Sequence, residues 1–174
     1  MLKGEIVGLR AIEKSDLPQL LEWRNKPENR RFFREYRELS SDNQEAWYEN
    51  IVLKANNVKM FAIINLKDNS LLGACGLCYI DWINRNADFS IYIGKDGIYI
   101  DEKYAFDAAK VMMKYAFDEL NLHKLWAEIY DIDEPKKKFF DTLDFTLEGV
   151  HKQTHWTEGK WVDSLFYGLI IDKG

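Results

Sequence analysis

"NADFSIYIGKDGIYIDEKYAFDAAKVMMKYAFDELNLHKLWAEIYD", residues 86–131, is the stretch on which the fold turns. Over 86–94 the residues alternate, with Ala87, Phe89, Ile91 and Ile93 on one side and Asp88, Ser90 and Tyr92 on the other, which is the two-residue period of a strand. From Lys103 to Leu120 the period becomes helical. Tyr104, Ala108, Val111, Met112, Tyr115 and Ala116 share a face, opposite Lys103, Asp107, Lys110, Lys114 and Asp118. Residues 124–131 return to alternation, Leu125, Ala127 and Ile129 against Trp126, Glu128 and Tyr130. Strand, helix and strand in that order predict a right-handed crossover between two parallel strands.

The flanking sequence predicts antiparallel neighbours. "EIVGLRAI" (5–12) reads as a first strand, and "KSDLPQLLEW" (14–23) as a helix with Ser15 or Asp16 as cap and Pro18 in its first turn. A second helix is expected from Asp42 to Leu53, opened by Ser41. "KMFAIINL" (59–66) and "LLGACGLCYI" (71–80) flank the polar turn "KDNS", and "FTLEGVHKQTH" (145–155) and "WVDSLFYGLII" (161–171) flank "TEGK". Between them Asp133 and Pro135 open a short helix carrying Phe139, Phe140 and Leu143. The order predicts one α+β domain over 1–174: a mixed, mostly antiparallel seven-stranded sheet with four helices, and a ligand cleft where the crossover starts.

Bulk properties exclude several functions. With 174 residues and 47% hydrophobic composition the chain can bury one substantial core. A net charge of −5 and a pI near 5.3 argue against a polyanion surface, so nucleic acid is not an expected partner. "MLKGEIVGLRAIEKSD" lacks a signal-like apolar core, and no apolar run nears the ~20 residues that span a bilayer. A cytoplasmic protein without membrane contact is expected. Cys75 and Cys78 form a C-x-x-C, and His151 and His155 have ligand-like spacing, which raises a zinc or redox reading. On a strand, however, positions three apart point to opposite faces and the sulfurs diverge, so no metal is expected.

"HKLWAEIYDIDEPKKKFFDTLDF" (123–145), taken with this element order, resembles the GNAT superfamily of acyl-CoA N-acyltransferases. The likeness covers nearly the whole chain. It is greatest to the branch of ribosomal-protein alanine, spermidine and nucleotide-aminosugar acetyltransferases, whose members read "LGLHRIxLEVYxxNxxAIxLYxKLGF" where this chain reads "LNLHKLWAEIYDIDEPKKKFFDTLDF". The closing "EGKWVDSLFYGLI" is similar to that branch's last hairpin.

The resemblance implies a splay between the strands at 86–94 and 124–131, with acetyl-CoA as co-substrate. Its pantetheine arm would add to the backbone of Ile91, Tyr92 and Ile93. A backbone N–H of that strand would hold the thioester carbonyl. The family's pyrophosphate loop, Q/R-x-x-G-x-G/A, falls on Ile100, Asp101, Glu102, Lys103, Tyr104 and Ala105, and only the last agrees. An Asp101 cap would take the N–H groups a phosphate wants, so the pyrophosphate is expected either to displace that cap or to ride outward, held by Lys103 and Lys138. Asp133 stands where the family commonly has Asn, able to cap the helix and bond pantetheine. Phe140 replaces the Tyr that protonates the leaving thiolate in many members.

The implied chemistry needs a group that takes the amine's proton. Asp88 is the first candidate, Glu128 the second, with Tyr130 and Tyr92 as candidate acids. On the acceptor side "RRFFREYRE" (30–38) offers Arg30, Arg31, Arg34 and Arg37 with Phe33 and Tyr36, and Trp82 is a further candidate. This mixture suits a nucleotide-linked aminosugar better than spermidine; a protein N-terminus is also open. A homodimer is compatible with the sequence. The rival reading is a non-catalytic acyl-CoA-binding module, favoured by the altered loop and by Phe140.

Overall fold

In the computed structural model, which describes residues 1–172, the chain runs β1 (Leu2–Lys3), β2 (Val7–Ala11), α1 (Leu17–Asn25), α2 (Pro27–Arg30), α3 (Ser41–Trp47), β3 (Lys59–Asn65), β4 (Leu71–Asp81), β5 (Asn86–Ile93), α4 (Tyr104–Lys114), β6 (Lys124–Tyr130), α5 (Glu134–Thr142), β7 (Thr146–Thr157) and β8 (Lys160–Ile170). The strands form one sheet in the order β1-β2-β3-β4-β5-β6-β8-β7. Among the described residues only β5 and β6 pair in parallel, and α4 links them, as the alternating and helical periods predicted.

Two counts differ from expectation. The sheet has eight strands because Leu2 and Lys3 pair with Leu9 and Gly8, a contact too short to leave a periodic signal. Pro27–Arg30 adds a fifth, four-residue helix, started by proline at its first position. The cap of α3 is Ser40 rather than Ser41: its hydroxyl accepts the Asn43 N–H at 3.1 Å while Asn43 Oδ1 accepts the Ser40 N–H at 3.0 Å. Before α1, Asp16 accepts the Glu13 N–H at 2.8 Å and pairs with Arg10 at 2.7 Å.

The sheet is covered on both faces. Ala87, Phe89, Ile91 and Ile93 of β5 pack with Ala105, Ala108, Ala109 and Met112 of α4 and with Phe139 and Phe140 of α5. Tyr92 joins the opposite cluster, with Leu17, Leu20 and Trp23 of α1 and with Tyr48. This double burial explains why alternation on β5 is apolar against mixed rather than apolar against charged.

Asp107 departs from the amphipathic pattern. Placed by helical phase on the polar side of α4, it is buried and accepts the N–H groups of Glu5, Ile6 and Val7 at 3.2, 2.8 and 3.0 Å. Those donors lie at the start of β2, and the carboxylate replaces the sheet partner they lack. Gly4 is required beside it, since a Cβ there would come within 2.5 Å of the carboxylate.

Candidate active site

β5 and β6 pair only through Asn86–Lys124, Ala87–Leu125 and Asp88–Trp126. Past Asp88 they part, because β5 keeps pairing with β4 to Ile93 while β6 follows β8 to Tyr130. The Trp126 indole N–H donates to Asn86 Oδ1 at 3.1 Å and stitches the closed end of this fork. On its β4 side the Gly94 N–H donates to Leu72 O at 2.8 Å. Antiparallel alternation therefore turns the Tyr92 N–H toward β4 and those of Ile91 and Ile93 toward the gap.

A cavity of about 400 Å³ opens in the fork, lined by Asp88, Phe89 and Ser90 of β5, Glu128 and Ile129 of β6, Lys136 and Phe140 of α5, Cys78 and Tyr79 of β4, and Phe33, Arg34 and Trp47. Arg34 bridges its carboxylates: one guanidinium nitrogen is 2.8 Å from Glu128 Oε1, another 3.8 Å from Asp88 Oδ2, and the group lies over the Tyr79 ring. Burial pushes the Asp88 carboxyl up to about 6, against the pull of Arg34 and Lys136. Burial likewise draws the Lys136 ammonium below the usual lysine value, opposed by Asp133 and Asp88. A carboxylate poised near neutrality can take a proton from an attacking nucleophile.

The other end of the fork is closed by protein groups. Tyr99, from the loop after β5, accepts the Ile93 N–H through its carbonyl at 2.8 Å and donates its hydroxyl to Asp133 Oδ2 at 2.7 Å. Its ring stacks on Phe32 at 4.7 Å, and burial beside Asp133 holds the phenol well above its ordinary pKa. At the mouth of α4, Asp101 accepts the N–H groups of Tyr104 and Ala105 at 3.1 and 2.7 Å. Glu102 pairs with Lys138 at 2.6 Å, and the Lys103 ammonium lies over the Tyr104 ring. Asp101, Glu102 and Lys138, with Ile100 and Phe139, line a smaller hollow of about 140 Å³.

Residues 7–146 match the acetyltransferase (GNAT) domain family. The chain belongs to the GNAT acetyltransferase family. It is 23% identical over 171 residues to the uncharacterized N-acetyltransferase p20 of Bacillus licheniformis, covering 97% of this chain and 95% of that one. It is 26% identical over 156 residues to spermidine N(1)-acetyltransferase of Vibrio cholerae, covering 89% and 87%. The crystal structure of Vibrio cholerae spermidine N-acetyltransferase in complex with CoA and spermine superposes with a TM-score of 0.86 at 22% identity, covering 94% and 95%. The fold is therefore the GNAT fold, and the protein is an acyl-CoA-dependent N-acetyltransferase that draws on acetyl-CoA.

Seen as a GNAT site, the fork brings together Asp88, Glu128, Arg34 and Phe140. Of the three backbone positions expected to meet pantetheine, only Ile91 turns an N–H to an open gap, because Tyr92 faces β4 and Ile93 is taken by Tyr99. Asp133 caps α5, accepting the Lys136 N–H at 3.1 Å. Phe140 is packed among Phe89, Phe139, Phe145 and Tyr167 and serves the core. Tyr130 stacks face to face on His155 at 3.6 Å, with burial and Glu128 raising its pKa.

The acceptor candidates divide. Tyr36 is 85% exposed, Arg37 is folded back onto Glu35 at 2.8 Å, and Trp82 is half exposed with its indole on Asn56 O. None of the three lines the cavity. Arg30 pairs with Glu38 and Arg31 with Glu158, so those cations are already neutralised. Cys75 is buried in β4 and Cys78 Sγ lies 3.9 Å from Met60 Sδ, with burial pushing the Cys78 thiol up to about 12. Among the described residues no helix is long and apolar enough to cross a membrane. Sequence reasoning missed Lys136 and Tyr99. The signal for Lys136 was its place one turn before Phe140 on α5; that for Tyr99 was an aromatic residue in an otherwise polar loop.

Proposed function

We propose that this chain acetylates a small primary amine by direct attack on acetyl-CoA in a ternary complex, with Asp88 as the base. The observation that carries the proposal is the seat of Asp88: at the point where β5 and β6 part, on the cavity wall, with its carboxyl raised to about 6. An alkylamine with a pKa near ~10.4 arrives protonated and must lose a proton before it attacks. Asp88 takes that proton, Glu128 holds the second ammonium-facing position, and Ile91 offers an N–H to the acyl carbonyl. Acetyl-CoA supplies the activated acetyl group as a thioester.

A cationic amine is the acceptor class best supported. Two carboxylates line the cavity and a guanidinium already rests on them, marking where a cation is held. One relative that covers most of this chain is a spermidine N(1)-acetyltransferase, and a solved neighbour holds CoA and spermine. A nucleotide-linked aminosugar finds less support, because the arginines that would meet its phosphates are paired. We further propose that residues 1–174 work as one catalytic domain, in the cytoplasm, and as a homodimer, for which exposed Trp156 and Trp161 on the β7–β8 edge offer a surface.

The test is thiol release from acetyl-CoA with spermidine, a nucleotide-linked 4-aminosugar and an N-terminal alanine peptide. Release is expected with spermidine at the highest rate. Acetyl-CoA binding with no release on any amine would point instead to a non-catalytic module, and sedimentation of the purified protein checks the dimer.

A further inference from the structure

Three consecutive lysines open α5, and they meet different fates. Lys137 pairs with Asp131 at 2.7 Å and Glu134 at 2.8 Å, and Lys138 pairs with Glu102 at 2.6 Å. Lys136 makes no ion pair or ammonium hydrogen bond among the described residues. It is turned inward to the cavity wall, its ammonium 5.5 Å from the centre of the Tyr99 ring. A lysine ordinarily keeps its charge in water. One held against a cavity without a partner is left for an anion that comes and goes.

The groups around it are accounted for. Asp133, on its own helix, accepts the Tyr99 hydroxyl and the Lys136 N–H; Asp88 from β5 and Glu128 from β6 face Arg34. Asp88, Asp133 and Arg34 act on Lys136 electrostatically, and Tyr99 lies against it from the loop. Lys136 also precedes Phe140 by four residues, so the two share a helix face, and both line the cavity. Phe140 has no proton to give.

We infer that Lys136 is the acid of this site, an assignment that rests on the acetyltransferase reading: its ammonium faces the departing sulfur and delivers the proton the thiolate needs. Asp88 first passes the ammonium's proton to water; the neutral amine nitrogen then bonds to the acetyl carbon and the C–S bond breaks, the amine's second proton going to Asp88 while the sulfur takes one from Lys136 Nζ. Asp88 and Lys136 then exchange their protons with water, leaving the amide and the free thiol. The pairing of acid and leaving group is apt. The thiolate of a thiol near ~8.5 is a weaker base than a lysine amine near ~10.4, and burial lowers the lysine toward the thiol so that the transfer is less uphill.

The decisive readout uses bound coenzyme A and no turnover. The ultraviolet absorbance of its thiolate, followed against pH, should show a thiol titrating at least about one unit lower on the wild type than on Lys136→Met. Lys136→Arg keeps the charge and should keep the lowered thiol pKa, while failing to restore turnover, because arginine does not release its proton. With acetyl-CoA the Met variant should lose about 30- to 100-fold in kcat, and with S-acetyl-4-nitrothiophenol, whose thiol leaves unprotonated, less than about 3-fold. Equal thiol titration on wild type and Met variant, or equal losses with both esters, would overturn the role of Lys136 alone. Failure of the wild type to bind coenzyme A would overturn the acetyltransferase reading beneath it.

Discussion

At the proposed amine end of the fork, charged groups gather: Asp88 is buried with a raised pKa, Lys136 has no ion-pair partner among the described residues, and Arg34 reaches Glu128 and Asp88 from outside the sheet. At the proposed diphosphate end most groups of the same kind are engaged by other protein groups. Asp101 takes the first two N–H groups of α4, Glu102 takes Lys138, and Tyr99 takes both the Ile93 N–H and Asp133. The difference separates chemistry from anchoring. Unsatisfied groups cost stability and are kept where a reaction uses them, whereas a mouth that satisfies itself must give up protein bonds to admit phosphate.

The largest break in this contrast comes from Asp88→Asn. Thiol release at neutral pH should fall on the order of 100-fold, with coenzyme A affinity little changed by calorimetry, because the base is lost and the tail site is untouched. Glu128→Gln should cost less, about 10-fold and chiefly in KM for the amine, since it frees Arg34 without removing the base.

At the other end, replacing both Asp101 and Glu102 by Gly should tighten coenzyme A binding by about 10-fold, because the N–H groups of α4 and Lys138 become available to phosphate. The same variant should lose about 1 kcal/mol of stability with the Asp101 cap. Weaker binding would mean that these acids do not compete for the diphosphate seat. The smallest expected effect is that of Tyr99→Phe. It removes one hydroxyl bond to Asp133 and should tighten coenzyme A by about 3-fold, the lower part of the range for a single net hydrogen bond.

The sequence made the amine end more legible than the mouth. Alternation at 86–94 placed Asp88 on the same strand face as Ser90, and the change of period at Lys103 gave the crossover that parts β5 from β6. The acid at the mouth of α4 was also visible, since a carboxylate two or three residues before a helix is a local capping signal. Lys136 was not legible because "KKK" reads as a solvated face; only the phase of α5, fixed by Asp133 and by burial of Phe139 and Phe140, turns one of the three inward. Tyr99 lay in a loop with positive φ at Asp96 and Gly97, where no period predicts direction. Asp107 was misplaced for a related reason: helical phase puts it away from the main core, yet β2 starts there and needs an acceptor.

The account's central claim is that Asp88 is the base of an amine acetyltransferase, and the pH dependence of kcat/KM for thiol release tests it most directly. Asp88 works only when ionised, and its pKa is raised to about 6, so wild-type activity should climb with pH through a limb near 6 and fall away below it. Asp88→Asn should lose that limb along with most of its rate. A limb of the same position and height in both proteins would contradict the claim.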